Sequence, residues 1–362
     1  MIRFLHAADL HMDSAFSALP PRQAQSRRRQ SRELPERLAA YVNERGIDLV
    51  LLSGDLLDSR RPFRETVEAL AAALGRMRAQ VCIAPGNHDP YVPGSLWQTV
   101  DWPENIHIFK ENRLEALELP ALNAVVYGAA FVGTEQNDSF LRGFCAPQDG
   151  RIHIGLLHGE AEVADGRYNP MTRQEIAGSG LDYLALGHIH KRGEPRRWGR
   201  TVCAWPGCME GHGFDETGEK GFYQGTLDET GVRMEFVPFA RHRYEILEVD
   251  VTGRTPLAAV EQALPPDTAE DLYRIVLTGE AEECSADALR EALEHRFYAL
   301  EVRDATRAAE DIWRGCGEDS LRGLFLQELK KQWDAAADET ARQQVTLAAR
   351  YGLAALDHRE IV

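Results

Sequence analysis

The sequence predicts an α/β protein with a partly parallel sheet. Residues 48–55 and 80–85 are continuous apolar runs bounded by turn residues, a pattern typical of strands that are covered on both faces. Helical patterns alternate with these strands, and such alternation favours parallel pairing. The chain has 362 residues, of which 44% are hydrophobic, so it is long enough for roughly two to three domains with a sizeable core.

The first part of the chain alternates strands with helices and then becomes richer in strands. Pro62 stands in the first turn of one predicted helix, where the missing N–H costs nothing. A Gly-containing loop at residues 228–231 predicts a hairpin. The apolar patterns predict strands over residues 2–9, 48–55, 80–85, 152–158, 181–190, 222–227 and 232–237, short strands within 105–131, and helices over 32–44 and 62–77.

The pattern changes after residue 240. Strand, helix, strand, helix and strand alternate over residues 244–303 and predict a compact α+β unit. From residue 320 the chain is predicted to be helical, with an apolar face formed by Leu321, Leu324, Phe325, Leu329 and Trp333. We therefore predict three parts, residues 1–240, 241–310 and 311–362.

The net charge of −16 argues against a protein that coats nucleic acid through its overall charge. Local basic groups nevertheless stand next to the motifs described below. Residues 14–32 contain five arginines and no acid. The candidate nucleic-acid contacts are Arg27, Arg28, Arg29, Arg60, Arg61, Lys191 and Arg192. Solvated surface is the alternative interpretation of such groups.

No apolar run approaches the ~20 residues of a membrane span. The apolar run at the start of the sequence is too short for a signal peptide and is predicted to be the first strand. We therefore expect a cytoplasmic protein without membrane contact.

Five predicted strands end in Asp, Asn or His. These ends are Asp9 with His11, Asp55, Asn87 with His88 and Asp89, His158, and His188 with His190. In open α/β sheets ligands bind beyond the carboxyl ends of the strands, so these side chains are expected to meet. Carboxylates, imidazoles and an amide suit Mn²⁺, Fe²⁺ or Zn²⁺. Seven of these side chains are already more than one ion needs, and they predict two ions ~3.5–4 Å apart that share a carboxylate.

Each motif taken alone has an ordinary structural interpretation. A Gly-Asp pair after a strand is usually a turn, and a lone His in an apolar strand, such as His6 or His153, is usually a core residue. Five such ends in one chain favour a shared site. Glycines beside Asp55, Asn87 and His188 are expected to let the backbone turn sharply and let a bulky anion approach.

These ordered motifs resemble those of the calcineurin-like metallophosphoesterases. Within that family the chain is similar to the DNA-repair nuclease branch, the SbcD-like and YhaO-type exonucleases, through residues 8–16, 206–221 and 297–304. The resemblance covers most of the chain. It implies a four-layer α/β/β/α sandwich, a small α+β capping domain and a helical tail.

The resemblance also implies a role for each motif residue. The first metal ion is expected to bind Asp9, His11, Asp55 and His190, and the second Asp55, Asn87, His158 and His188. His88 is expected to meet the scissile phosphate, with Asp89 orienting its ring. The family's typical metal is Mn²⁺, with Fe²⁺, Zn²⁺ and Mg²⁺ as alternatives.

The expected function is metal-dependent hydrolysis of DNA phosphodiesters, by an exonuclease or endonuclease of DNA repair. An SMC-like ATPase of the SbcC type is the expected partner, docked on the apolar face of the C-terminal helices, and homodimers occur in the family. The alternative for that apolar face is packing against the capping unit. One alternative is a phosphoesterase of the same fold that acts on a small nucleotide or a phosphoprotein. The other is a scaffold subunit that tethers an ATPase.

Overall fold

The computed structural model describes residues 1–17, 19–59, 61–281, 285–308 and 312–356. Seventeen strands lie in the described residues. In chain order they are Ile2–Ala7 (β1), Leu49–Leu52 (β2), Gln80–Ile83 (β3), Ile106–Ile108 (β4), Glu115–Leu119 (β5), Ala124–Gly128 (β6), Ile152–His158 (β7), Tyr183–Gly187 (β8), Arg196–Trp198 (β9), Thr201–Ala204 (β10), Gly221–Asp228 (β11), Gly231–Pro238 (β12), Tyr244–Asp250 (β13), Leu272–Thr278 (β14), Glu280–Ala281 (β15), Ala299–Asp304 (β16) and Arg307–Ala308 (β17).

Eight α-helices accompany these strands in the described part of the chain. They are Pro21–Arg45 (α1), Arg64–Gly75 (α2), Leu96–Thr99 (α3), Arg173–Gly178 (α4), Pro256–Ala263 (α5), Ala286–Leu293 (α6), Leu321–Asp334 (α7) and Glu339–Leu356 (α8). Short 3₁₀ turns cover Pro120–Leu122 and Glu294–Arg296. None of the helices described has both the length and the apolar character that crossing a membrane requires.

Two six-stranded sheets form the larger part of the fold. The first has the order β12-β11-β1-β2-β3-β4, and the second has the order β5-β6-β7-β8-β10-β9. Strands β1 to β4 pair in parallel, and so do β6, β7, β8 and β10. Antiparallel strands complete each sheet. The partly parallel α/β architecture predicted from the sequence is confirmed.

The two sheets pack face to face and carry helices on their outer faces. Phe4 of β1 and Ile154 of β7 belong to one buried cluster between the sheets. Leu5, the next residue of β1, points to the other face and packs with Leu38 of α1, as the two-residue repeat of a strand requires. Ile176 of α4 covers the outer face of the second sheet. The result is the expected four-layer α/β/β/α sandwich.

The structure differs from the predicted elements at α1. This helix begins at Pro21, eleven residues before the predicted start at residue 32. Its first turns bury Ala24, Arg27 and Ser31 rather than large apolar side chains. This part of the helix therefore has no helical repeat of large apolar residues that could have predicted it. Helix α4 and strands β9 and β10 were also not predicted.

The chain divides into two compact units. The first comprises residues 1–247, 265–274 and 292–301, and the second comprises residues 248–264, 275–291 and 302–362. Strands β13, β14 and β16 form a three-stranded sheet. Within the second unit, Leu326 of α7 packs with Ala349 and Leu353 of α8. The division at residues 240 and 310 stays a prediction.

Candidate metal centre

The turns after the strands hold the predicted ligands in unusual backbone conformations. Asp9, His11, Asp55 and His188 have φ values of 52°, 43°, 49° and 93°. Non-glycine residues seldom adopt this left-handed region, and such strain concentrates at functional sites. Hydrogen bonds from Asp9 N to Gly54 O (3.0 Å) and from His11 N to Asp55 O (3.0 Å) fix the first two turns against each other.

Asp9, His11 and His190 form the first group of donor atoms, all within 4.8 Å of one another. The Nε2 atoms of His11 and His190 lie 3.0 Å apart, and Asp9 Oδ1 is 3.9 Å from His190 Nε2. Asp9 and His11 are buried, whereas the side chain of His190 is 36% exposed. This group matches three of the four predicted ligands of the first ion.

The second group contains Asp55, His158 and His188. The amide oxygen of Asn87 joins them, at 2.9 Å from His158 Nε2 and 3.2 Å from His188 Nδ1. Asp55 Oδ2 lies 3.3 Å from His158 Nε2 and 3.9 Å from His11 Nε2 of the first group. Asp55 thus stands between the two groups, where the predicted shared carboxylate is expected.

The carboxylates of the centre favour positive charge at this point. Burial lowers the pKa of His11, but its hydrogen bond to Asp58 and nearby carboxylates outweigh that effect and raise the pKa to about 9. For His158, burial also lowers the pKa, and Asp55 raises it to about 9. The pKa of Asp55 is depressed because His158 and other imidazoles outweigh the effect of burial. Oxygen and imidazole donors in such a field fit a pair of divalent cations.

Each of three imidazoles has an acceptor on the ring nitrogen that faces away from its donor group. Asp58 Oδ1 lies 3.0 Å from His11 Nδ1, and the carbonyl of Ser53 lies 2.8 Å from His158 Nδ1. Glu216 Oε1 contacts His190 Nδ1. Such contacts fix the tautomer that leaves Nε2 free for a metal ion. Sequence reasoning missed Asp58, which stands three residues after Asp55, and Glu216, which no strand end marks.

His88 lies at the open side of the centre. Its side chain is 46% exposed, and its ring centroid is 4.9 Å from that of His11. Its backbone N–H donates to Asp55 Oδ1 at 2.9 Å, which ties its position to that of the shared carboxylate. Asp58 Oδ1 lies 3.8 Å from His88 Nδ1.

Asp89 has different partners from those predicted. It is 2% exposed, and it accepts backbone hydrogen bonds from Gly86 at 2.8 Å, from Leu56 at 2.8 Å and from Leu57 at 3.2 Å. Burial and the charge of Asp55 raise its pKa to about 7. Asp89 therefore holds the turns after β2 and β3 together, and Asp58 takes the place beside the ring of His88.

The glycines of the motifs admit neighbouring protein groups, and the expected approach of an anion stays a prediction. A Cβ atom at Gly86 would overlap Asp55 Oδ1, and one at Gly187 would overlap the carbonyl of Ser53. Gly54 has a φ of 89°, and a Cβ there would lie 2.6 Å from His158 Nδ1. The expected sharp turn occurs at Gly54, and the close approaches join neighbouring ligand-bearing turns, within the first sheet at Gly86 and between the two sheets at Gly54 and Gly187.

Comparison with known proteins identifies the family. Residues 2–192 match the calcineurin-like phosphoesterases, which use a dinuclear site of divalent metal ions. The chain belongs to this family. The uncharacterized metallophosphoesterase YhaO of Bacillus subtilis (strain 168) is 31% identical over 328 residues, which span 84% of this chain and 78% of that protein.

Two further similarities are more distant. The DNA double-strand break repair protein Mre11 of Methanopyrus kandleri is 22% identical over 375 residues, spanning 91% of this phosphoesterase and 77% of Mre11. The crystal structure of TT1561 of Thermus thermophilus has a TM-score of 0.41 and 13% identity, covering 65% of this chain and 99% of that one.

The basic residues predicted to contact nucleic acid differ in their surroundings. Arg27 of the phosphoesterase is fully buried, 3.4 Å from Glu210 Oε2 and 3.1 Å from the carbonyl of Gly211, so the prediction that it contacts DNA is wrong. Arg28 is partly exposed, and Arg29, Arg61, Lys191 and Arg192 are exposed. Arg60 lies outside the described residues.

Arginines of α1 line an open groove of about 730 Å³. The lining residues are Arg22, Gln25, Ser26, Arg28, Arg29 and Arg32. Arg28 also donates to the carbonyl of Ala15 at 2.9 Å, in the loop that follows the ligands Asp9 and His11. The groove therefore belongs to the same part of the fold as the first donor group.

Proposed function

We propose that this phosphoesterase is a DNA nuclease of the DNA-repair branch, acting as an exonuclease or endonuclease on phosphodiester bonds. The observation that carries the proposal is the placement of two donor groups around Asp55, beside the exposed imidazole of His88. The arginine groove of α1 adds a surface suited to a polyanion. The similarity to a relative named as a DNA double-strand break repair protein supports DNA as the substrate.

The residues present fit two divalent ions, for which Mn²⁺ is the proposed identity. Asp9, His11 and His190 would hold one ion. Asn87, His158 and His188 would hold the other, and Asp55 would bind both. When bound, a pair of such ions activates a water molecule for in-line attack and offsets charge on the phosphate.

His88 is the proposed catalytic side chain. Asp55 accepts a hydrogen bond from its backbone N–H, and the Asp58 carboxylate lies 3.8 Å from Nδ1, which leaves Nε2 for the substrate. From this position the imidazole can bind a non-bridging phosphate oxygen or donate a proton to the leaving oxygen. Its side chain is 46% exposed, so a polymeric substrate can reach it.

A nuclease assay tests the proposal directly. Purified protein with Mn²⁺ should degrade end-labelled linear DNA, single-stranded or duplex, and Asp55→Asn should abolish this activity. Turnover of an aryl phosphate ester is measured in parallel. Robust hydrolysis of the ester without cleavage of either DNA would contradict the proposal and favour a small nucleotide or phosphoprotein substrate.

The C-terminal hairpin of α7 and α8 is the proposed docking site of an SMC-like ATPase of the SbcC type. Phe325 and Leu329 of the predicted apolar face pack within the hairpin, so they are not available to a partner. Leu321 and Leu324 remain 72% and 58% exposed, and Tyr351 of α8 is 48% exposed. Exposed apolar side chains on neighbouring turns of a helix suit a coiled-coil surface.

Two charge substitutions separate docking from folding. Leu321→Glu with Leu324→Glu should abolish co-purification with the ATPase and leave the circular dichroism spectrum unchanged. Leu257→Glu, at another exposed leucine of the second unit, is the matched control and should retain binding. Retained binding by the double variant would contradict the docking site. If neither the wild type nor any variant cleaves DNA, but Asp55→Asn still binds the ATPase, the scaffold function is favoured instead.

A further inference from the structure

The loop between β7 and α4 carries an aromatic residue to the second donor group. Tyr168 lies over His188, with ring centroids 4.5 Å apart and planes inclined by 36°. Its side chain is partly exposed, and among the described residues its hydroxyl makes no hydrogen bond. A partly exposed ring at this distance from a proposed metal ligand lies beside the place that a scissile phosphate would occupy.

The loop is built to hold Tyr168 in this position. Glu160 N donates to the carbonyl of Tyr168 at 2.9 Å, and Met171 N donates to that of Glu160 at 2.9 Å, so the loop folds back on itself. Gly159 has a φ of 151°, and a Cβ atom there would lie 2.5 Å from the carbonyl of Tyr168. Only glycine therefore permits the close approach of these two backbone segments.

Asn169 fixes the loop to the core. It is fully buried with a φ of 51°, and its side-chain amide donates to the carbonyl of His158 at 3.0 Å. Its Oδ1 accepts from Phe140 N at 2.8 Å. The residue that follows Tyr168 is thus bonded to the ligand strand β7 itself. An aromatic ring anchored in this way loses little conformational entropy when a ligand stacks on it.

The charges of the loop favour a neutral ligand over a phosphate at this point. Glu160 Oε1 lies 3.8 Å from His188 Nε2 and would repel a second phosphate. Glu162 is paired with Arg173 and Arg196, so those two arginines are not free for the DNA backbone. A nucleobase presents an uncharged aromatic face, which can stack on tyrosine whatever its sequence.

We propose that Tyr168 is a specificity residue that stacks on a nucleobase next to the scissile phosphodiester. This inference rests on the proposed nuclease function and deepens it by naming the part of the substrate that the second-ion side recognises. It makes the base, as well as the phosphate, a determinant of turnover. The preference would be for nucleic acid over phosphoesters that lack a base, without selection among the four bases.

A double-mutant cycle between enzyme and substrate tests the inference. The variants are Tyr168→Leu and the matched control Tyr168→Phe, which keeps the ring. The substrates are an end-labelled oligonucleotide and the same oligonucleotide with abasic tetrahydrofuran nucleotides flanking the cleaved bond. Tyr168→Leu should lower kcat/KM on normal DNA roughly 10-fold, within the range known for aromatic stacking on single bases. Tyr168→Phe should stay within about threefold of the wild type.

The decisive quantity is the loss of kcat/KM when Tyr168→Leu acts on the abasic substrate. If Tyr168 stacks on a base, the losses from Tyr168→Leu and from the abasic substrate do not multiply, and together they remain near 10-fold rather than near 100-fold. Multiplying losses, or an equal loss of bound Mn²⁺ in Tyr168→Leu, would overturn the inference and leave Tyr168 as a support for His188. If the wild type fails to cleave normal DNA at all, the proposed function fails instead.

Salt provides an independent readout. The loss of kcat/KM caused by Tyr168→Leu should be the same at low and high ionic strength, because a stacked tyrosine and base are both uncharged. The loss caused by Arg29→Gln, in the arginine groove, should shrink as salt is added. A salt-dependent loss for Tyr168→Leu would contradict a base contact.

Discussion

At the scale of single residues, the imidazoles of the centre are oriented by neighbouring acceptors. His11, His158 and His190 each have one ring nitrogen occupied by Asp58, Ser53 or Glu216. The other nitrogen is then directed toward the donor group. The residues that decide metal affinity therefore include side chains that do not touch the metal.

Glu216→Gln should weaken the first metal site while the second is retained. Loss of this orienting carboxylate should lower the affinity for Mn²⁺ about 10- to 100-fold. Titration calorimetry with Mn²⁺ measures both sites. Glu219→Gln, at a side chain that is 52% exposed, is the matched control and should bind like the wild type. Equal affinities for Glu216→Gln and Glu219→Gln would contradict the orienting role.

His88→Ala should lower turnover about 100-fold or more and leave two metal ions bound, because the side chain acts on the substrate and is not a proposed ligand. The comparison of kcat with metal content from elemental analysis checks this. A variant that loses its metal ions would show that His88 is a ligand instead.

At the scale of single elements, β1 joins core packing to the site. It presents Phe4 to the core between the sheets and ends two residues before Asp9. Its His6 is fully buried, 2.7 Å from the hydroxyl of Tyr183 and 2.9 Å from Ser53 Oγ. Burial lowers the pKa of His6 to about 3, so the ring is neutral in the folded protein.

His6 should make the protein less stable in acid. Between pH 6.5 and pH 3 the unfolded chain binds a proton that folded His6 does not, so the free energy of unfolding falls as the pH decreases. The contribution is about 1.4 kcal/mol per pH unit. Urea unfolding at pH 5 and pH 7 should show a smaller pH dependence in His6→Asn than in the wild type. Identical pH dependence would mean that His6 is already protonated in the fold.

Sequence patterns predicted some elements better than others for physical reasons. β7 was predicted at its observed bounds because its buried faces give a continuous apolar run. The predicted β1 and β2 were too long because their last residues are polar turns with left-handed backbone. The start of α1 was missed because its buried face carries Arg27, whose charge is offset by Glu210, a residue far away in sequence.

The residues of the candidate site were likewise predicted only in part. Its ligands stand directly after strands, so the chain order of the motifs was enough to expect them together. Glu216 and Tyr168 come from loops whose paths depend on long-range contacts, so neither side chain was assigned a role from the sequence. Asp89 was assigned from its neighbour in sequence, whereas its carboxylate is used by backbone groups of two turns.

At the scale of the whole molecule, the site is assembled by both sheets of the sandwich. Asp9, Asp55 and Asn87 follow strands of the first sheet, whereas His158 and His188 belong to the end of strands in the second. Bound metal ions would therefore link the two layers. A ligand that binds only the folded state stabilises it by mass action.

Removal of metal should therefore lower the thermal stability of the protein. Chelation with EDTA should decrease the unfolding temperature by about 5 °C or more, as expected for ligands present at roughly 100 times their Kd. Added Mn²⁺ should restore it. Asp55→Asn, which removes the shared carboxylate, should show a much smaller response to EDTA. An equal decrease of the unfolding temperature in both proteins would contradict the prediction, because the effect of EDTA would then not depend on metal bound at Asp55.

Asp55 is predicted to bind both metal ions. Anomalous diffraction from crystals grown with Mn²⁺, measured at the manganese absorption edge, locates the ions. We predict two anomalous peaks about 3.5–4 Å apart. One peak should lie among Asp9, His11 and His190, the other among Asn87, His158 and His188, with Asp55 in contact with both. A single peak, or two peaks that do not share Asp55, would contradict the claim.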